Sequence, residues 1–404
     1  MIDRNRHESL NKVLHKFAES LDITKTQYDN LVRSYGAVGK FLENTPTLQN
    51  YHPVVTPQGS LRLGTIIQPV HEDDDLDIDL VFRLTGKDIS WTQQDIKKIV
   101  GNRLKDHSVY KSMLDAEGRR CWSLLYRQNS EDKKERYHMD ILPCVVEEKY
   151  EEYVRCFDSN KFSIEKIDEI AIRITDKKTK NYYTSTFSHE WLKSNPDGYA
   201  LWFASRCTIC AHRSILLESV VPIGEYVEDK YILQRVVQLL KRHRDIMFNG
   251  ADKKPISIII TTLAAYAYNG EDNPLDALCN IIDTMENYIE FDSMNNNFTI
   301  CNPVNPNENF ADKWKEDSQR KDNFFNWLNR LKKDKNELLT KTGVQLRHVF
   351  SRVFGEELSL QVFENNAQEH KTNALNAKIK VASTGMLGSV GKTLNANNTF
   401  YGEK

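Results

Sequence analysis

Three aspartates in two short apolar segments are the residues of this chain best suited to chemistry: Leu76-Asp77-Ile78-Asp79-Leu80-Val81-Phe82 and Tyr137-His138-Met139-Asp140-Ile141-Leu142-Pro143. In a strand, residues two apart share a face. Asp77 and Asp79 therefore project together while Leu76, Ile78 and Leu80 turn into a core. Carboxylates so close repel one another unless a cation lies between them. Oxygen-only ligands suit magnesium or manganese. With Asp140 as a third ligand the set fits two ions, one on a polyphosphate and one on an attacking hydroxyl. Asp140 is also placed to take that hydroxyl's proton. An unpaired acid in Met139-Asp140-Ile141-Leu142 is costly, and its structural alternative is pairing with a core arginine or capping a turn. His138 is expected in the core, on the strand face away from Asp140.

Ahead of the acids stands Gln58-Gly59-Ser60-Leu61-Arg62-Leu63-Gly64-Thr65. Glycine lets backbone approach a phosphate. Ser60 is a good N-cap for a short helix, and helix N-termini attract anions. A Gly-Ser pair means little alone; its weight comes from the Asp strand that follows. His71-Glu72-Asp73-Asp74-Asp75 reads as a charged loop. A calcium loop starting at Asp73 or Asp75 would need Gly where Ile78 or Leu80 stands and Glu where Leu84 or Gly86 stands, so that pattern fails. Cys207, Cys210 and His212 have the spacing of half a zinc site, but no second pair lies near, and the segment reads as buried helix. No order of Ser, His and Asp makes Ser60 a covalent nucleophile.

Gln58–Thr65 with Asp77, Asp79 and Asp140 resembles the bacterial relatives of cyclic GMP–AMP synthase, the cyclic di- and trinucleotide synthases of anti-phage signalling in the polymerase-β-like nucleotidyltransferase superfamily. Val236-Val237-Gln238-Leu239-Leu240-Lys241 is similar to the family helix whose lysine contacts the donor triphosphate. Lys254-Pro255-Ile256-Ser257 is similar to the next helix, whose early serine touches phosphate. Asn302-Pro303-Val304-Asn305-Pro306-Asn307-Glu308-Asn309 resembles a turn shared with oligoadenylate synthases. The resemblance implies two magnesium or manganese ions on Asp77, Asp79 and Asp140. It implies a nucleoside triphosphate held by Gln58, Gly59, Ser60, Lys241 and Ser257. It also implies an aromatic side chain stacked on the donor base. Template-independent RNA polymerases and small-molecule or protein nucleotidylyltransferases share the carboxylates and are the alternatives, beside a non-catalytic nucleotide sensor. Some relatives offer a mobile C-terminus to a ubiquitin-transfer-like partner. Here Asn397-Asn398-Thr399-Phe400-Tyr401-Gly402-Glu403-Lys404 is the candidate docking peptide.

The elements that must carry these residues follow from periodicity. Arg6 to Leu42 reads mainly helical. Strands are expected at Leu76–Phe82, Ser123–Arg127 and Tyr137–Val146, with a helix over Thr92–Lys105 behind them and a strand pair within Ile164–Phe187. Helices are expected at 199–218, 230–248, 256–268, 274–291, 309–332 and 337–354. The fold class is α+β: a polymerase-β-like lobe of mixed sheet and helices over 1–197, a helical lobe over 198–363 closing a nucleotide cleft, and a flexible tail over 364–404. The chain has 404 residues, 40% of them hydrophobic, enough for one large or two moderate domains. A net charge of −2 without a basic tract excludes a standing grip on long nucleic acid. No apolar run suggests a membrane span or signal peptide. Seven cysteines without disulfide-like spacing fit a reducing cytoplasm, which the resemblance implies is bacterial.

Overall fold

The strands that carry the acids also organise the sheet. The computed structural model describes residues 3–70, 75–128, 130, 136–146, 167, 169–209, 226–294, 296–375 and the pairs 380–381, 387–388 and 393–394. Strands β1 (Val54–Gln58), β2 (Leu76–Thr85), β3 (Trp122–Tyr126), β4 (Tyr137–Val146), β5 (Ile172–Ile174) and β6 (Leu192–Ser194) form one mixed sheet in the order β1-β2-β4-β5-β6. β2 and β4 run parallel over their whole length. The other pairings are antiparallel, and β3 and β5 share the edge of β4 that β2 leaves open.

β2 alternates as its sequence demands. Leu76, Ile78 and Leu80 are buried while Asp77 and Asp79 lie on the other face; from Leu80 to Leu84 both faces are covered. Behind the sheet lies the helix Gln93–Lys105, started by a reciprocal cap in which Thr92 and Asp95 satisfy each other's backbone N–H. Its Ile96, Val100 and Leu104 join Phe82, Leu84, Leu124, Met139 and Ile141 in the main core. Lys97 is fully buried in this helix, and its ammonium donates to the carbonyls of Gly118 and Arg119 at 2.6 and 2.9 Å. The Trp122 indole donates back to the Lys97 carbonyl at 2.8 Å. The loop entering β3 is thereby tied to the helix behind the sheet.

The N-terminal region is two helices, Arg4–Glu19 and Lys25–Glu43, separated where Thr24 and Gln27 form a capping box. The first packs on helices Ile232–Phe248 and Pro274–Thr284, the second on β1 and Gln93–Lys105. An α/β lobe is thus followed by a helical one built from Pro196–Cys207, Ile232–Phe248, Ser257–Ala267, Pro274–Thr284 and Ser318–Thr340.

Several expected elements differ; the helices expected at 199–218 and 337–354 are observed at Pro196–Cys207 and Gly343–Phe354. The helix expected over 274–291 stops at Thr284 and passes through a 3₁₀ turn, Met285–Tyr288, into a hairpin of Glu290–Asp292 with Asn297–Thr299. The helix expected from 309 begins at Lys313 instead. The Asn309 side chain accepts from the N–H groups of Ile300 and Ala311 and donates to the Phe298 carbonyl, which holds the chain in a turn rather than a helix. Among the described residues of Ile164–Phe187 a single strand forms, β5, and its partner β6 comes later.

By its contacts the chain divides into two compact units, Met1–Asn336 and Glu337–Lys404. In the second, helices Gly343–Phe354 and Glu356–Leu375 pack on each other, with the Phe350 and Phe363 rings 5.6 Å apart. Regular structure therefore continues past Phe363. The docking peptide Asn397–Lys404, the acidic run His71–Asp74, and Cys210 and His212 lie outside the described residues. Among the described residues no helix is long and apolar enough to cross a membrane.

Gly101 faces the Trp122 ring so closely that a Cβ there would lie 2.1 Å from Cζ2. Gly101→Ala should destabilise the protein by about 1–3 kcal/mol through overpacking. A melting temperature equal to that of the unaltered protein would show that the ring is free to move.

Candidate active site

Parallel pairing of β2 with β4 sets the acids side by side. Asp79 is the register partner of Asp140, and Asp77 that of His138. Both strands alternate, so these side chains share the face turned away from the main core. His138 is therefore not a core residue. It stands two positions from Asp140 on the same face, 43% exposed, with Nε2 2.7 Å from Asp75 Oδ2 and Nδ1 4.0 Å from Asp77 Oδ1. Among the described residues Asp140 has neither of the structural partners considered for it. Its Oδ1 accepts a hydrogen bond from Ser123 Oγ at 2.5 Å, across the β3–β4 pair.

Repulsion shapes the charge state of this cluster. Burial, then the charges of Asp140 and Asp77, push the Asp79 carboxyl up to about 6. Asp77 is raised too, by crowding of protein around it and by Asp140, against the pull of His138. Its side chain is 85% exposed to the cleft, so water tempers that shift and Asp79 is the clearer case.

The Gly-Ser turn abuts the acids directly. Gln58 ends β1 opposite Asp79, and the helix Gly59–Arg62 begins at once. Gln58 occupies the cap position without a side-chain cap, and Ser60, expected as the cap, lies inside the first turn. Gly59 has φ +64°, and a Cβ on it would sit 2.2 Å from Asp79 Oδ2. Only glycine tolerates both the left-handed backbone and that approach.

The opposite wall is the helix Ile232–Phe248. Its side chains reach successive carbonyls of the chain that follows the Gly-Ser turn: Gln234 to Leu63, Lys241 to Thr65, Gln238 to Ile66 and Arg242 to Pro69, at 2.8–3.2 Å. Lys241 is buried beside Arg244, and burial followed by that guanidinium pushes its ammonium down to about 7. Arg244 donates to Ser257 Oγ at 2.8 Å and to the Pro255 carbonyl at 3.1 Å.

Gly59, Ser60, Asp77, Asp79, Lys241 and Ser257 line one cavity of ≈ 360 Å³. Asp140 and Gln58 are not among its lining residues and reach it through Asp79, their strand neighbour. Among the described residues, no three or more His, Cys, Asp or Glu groups stand as a finished metal cage. The donors nevertheless suit a hard divalent cation. They are carboxylate oxygens, and Asp79 resists ionisation because it is buried and because its neighbours are acids, a penalty that such a cation would relieve. Four residues at the site were not singled out from sequence: Ser123, His138, Arg244 and Lys254. His138 was within reach, since residues 138 and 140 must share a strand face. Arg244, one turn beyond Lys241, carried a helical signal too. Nothing local marks Ser123.

Comparison with known proteins finds relatives in sequence and in fold. The Second Messenger Oligonucleotide or Dinucleotide Synthetase domain family matches residues 9–166. A Roseivirga ehrenbergii protein named c-di-GMP synthase is 29% identical over 413 residues, spanning 100% of each chain. The fold is similar to that of the Bradyrhizobium diazoefficiens CD-NTase CdnG in complex with GTP, with TM-score 0.64, 17% identity, and coverage of 89% of this chain and 99% of that one. It is also similar to Escherichia coli CdnC with ATP, at TM-score 0.56 and 16% identity, covering 85% of this chain and 97% of that one.

The raised Asp79 gives a signed prediction. Between about pH 4 and pH 6 the folded protein keeps a proton that the unfolded chain has lost. The resulting stability is complete below about pH 4 and gone above about pH 6. Without divalent ions, Asp79→Asn should therefore stabilise the protein by about 1–2 kcal/mol at pH 7.5 and give no advantage at pH 4. Thermal melts at the two pH values check this; an Asn variant less stable at pH 7.5 would show that the acids do not strain the fold.

Proposed function

We propose that this chain, which belongs to the polymerase-β-like CD-NTase nucleotidyltransferases, joins ribonucleoside triphosphates into a cyclic di- or trinucleotide second messenger of anti-phage defence and releases pyrophosphate. The observation that carries the reading is the β2–β4 register, with Asp79 beside Asp140 and the Gly59 backbone against the Asp79 carboxylate. Guanine is the favoured base, supported by the full-length likeness to a protein named c-di-GMP synthase.

The residues divide the work by position. The backbone turn at Gly59 and Ser60, with Lys241, Lys254 and Ser257 across the cavity, holds the triphosphate of the donor nucleotide. Phosphate arriving beside Lys241 favours its charged form, which burial alone disfavours. Asp77, Asp79 and Asp140 would hold two magnesium or manganese ions, which supply neutralisation of the charge that builds on the phosphoryl oxygens. Asp140, steadied through Oδ1 by Ser123, takes the proton of the attacking ribose hydroxyl at its other oxygen. The hydroxyl oxygen bonds to the α-phosphorus as the bond to pyrophosphate breaks. Positioning and charge compensation supply most of the rate. The linear product then turns so that its own triphosphate becomes the donor, and a further transfer closes the ring. For Asn397–Lys404 the reading is a docking peptide for a ubiquitin-transfer-like partner, supported by Phe400 and Tyr401 in an otherwise polar stretch.

Purified protein incubated with the four ribonucleoside triphosphates and Mg²⁺ or Mn²⁺ should yield a phosphatase-resistant cyclic product by mass spectrometry. A linear ladder would instead indicate a polymerase, and no product would overturn the reading. Asp77→Asn with Asp79→Asn should abolish pyrophosphate release while circular dichroism stays unchanged. Gly59→Ala, which pushes a methyl against Asp79, should lower kcat/KM on the order of 100-fold, the scale of a 1 Å misplacement.

A further inference from the structure

A second chamber of ≈ 760 Å³ shares Lys254 and Ile258 with the catalytic cavity. It lies within the size range of small-molecule sites, and the transfer chemistry above assigns it nothing. Two charged side chains line it with one end anchored and one end free. The Arg120 Nε donates to Asp176 Oδ2 at 2.8 Å, and that carboxylate is fully buried and also held by Arg119. The Arg120 Nη1 and Nη2 have no hydrogen-bond partner among the described residues. Glu308 is the opposite case. Its Oε2 accepts from Asn302 Nδ2 at 2.8 Å and from Asn305 Nδ2 at 3.5 Å. Its Oε1 has no hydrogen-bond partner among the described residues. The two side chains feel each other's charge, since Arg120 opposes the rise that burial imposes on the Glu308 carboxyl. Yet they form no ion pair, so a ligand can engage both.

The ligand that fits must donate to a carboxylate and accept from a guanidinium, in a chamber that Phe310 and Trp314 furnish with aromatic surface. Guanine has that pattern: N1–H and the N2 amino group donate, and O6 and N7 accept, a pair that arginine engages in bidentate fashion. Adenine offers a carboxylate only the single N6 amino donor, with the N1 lone pair beside it facing the carboxylate, so it matches the pair less well than the two adjacent donors of guanine. The chamber's place identifies which nucleotide is read. Arg120 stands two residues before β3, whose Ser123 holds Asp140, whereas the triphosphate groups Gly59, Lys241 and Ser257 line the other cavity. In-line transfer puts the attacking nucleotide opposite the leaving pyrophosphate.

We propose that Glu308 and Arg120 read the guanine edge of the attacking nucleotide and so determine the base used by this enzyme. The assignment rests on the nucleotidyl-transfer reading above. Stacking on the aromatic surface adds affinity without selectivity, because every base has a π-face, so discrimination falls to the two charged groups.

The test compares GTP with ITP, which lacks the N2 amino group, and with ATP in competition, reading the base composition of the product. The unaltered protein should prefer GTP over ITP by roughly 10-fold or more, the scale of one lost hydrogen bond to a charged group. Glu308→Gln should bring that ratio close to one and raise the adenine share. Arg120→Gln should raise the adenine share as well. A base ratio does not depend on how much protein is folded, and each variant stands in for the other should one fail to fold. ITP used as well as GTP by the unaltered protein, or ratios unchanged in a folded variant, would overturn the assignment while leaving nucleotidyl transfer intact. Absence of any nucleotide product from the unaltered protein would sink both.

Discussion

Mutual repulsion among carboxylates is the constraint on which this structure depends. Asp79 and Asp140 are strand partners, and Asp77 stands two residues away on the same face. The immediate fold offsets their charge only in part: the neighbours are a serine hydroxyl, a histidine shared with Asp75, Lys254, and a lysine that burial pushes down to about 7. A sheet with hydrophobic residues at these positions would be more stable. Keeping three acids there stores unfavourable energy, which in the proposed reaction a divalent cation and a polyphosphate would release. Glycine at position 59 belongs to the same design, because it lets the turn approach Asp79 where any side chain would collide with the carboxylate.

The cluster is held in place by a second device at some distance. Along the helix Ile232–Phe248, Gln234, Gln238, Lys241 and Arg242 reach carbonyls of Leu63–Pro69 in turn. Asp22 locks the same helix from behind, accepting from Arg235 at 2.5 Å and from Gln238 at 2.8 Å, with Lys230 as a third partner. Breaking such a buried network is expensive because each lost partner leaves a charge or carbonyl unsatisfied. The connection after the Gly-Ser turn is therefore a rigid splint joining the acid strands to the helical lobe. Arg62 and Arg83 extend the link by converging on the buried Asp197 at the start of helix Pro196–Cys207.

Much of this was legible in the residues. The alternation of Leu76–Phe82 predicted both the strand and its buried face, and Tyr137–Val146 emerged with the expected bounds. Helix Ile232–Phe248 followed its apolar spacing closely. Local signals failed where one side chain overrode periodicity. Asn309 held the start of an expected helix in a turn by satisfying three backbone groups. His138 was misplaced although the two-residue repeat already put it beside Asp140.

By itself the sequence determined which residues form strands and helices, which strand face is acidic, and where glycine must stand, because these depend on neighbours a few positions apart. Only the tertiary structure decided that β2 pairs with β4 in parallel and in the register that opposes Asp79 to Asp140. The same holds for the Ser123 contact, the descent of Lys241 toward neutrality, and the chamber shared by Arg120 and Glu308. Each arises between residues far apart in the chain. Burial and long-range electrostatics exist only once the packing that excludes water has formed, and no local pattern of residue types encodes them.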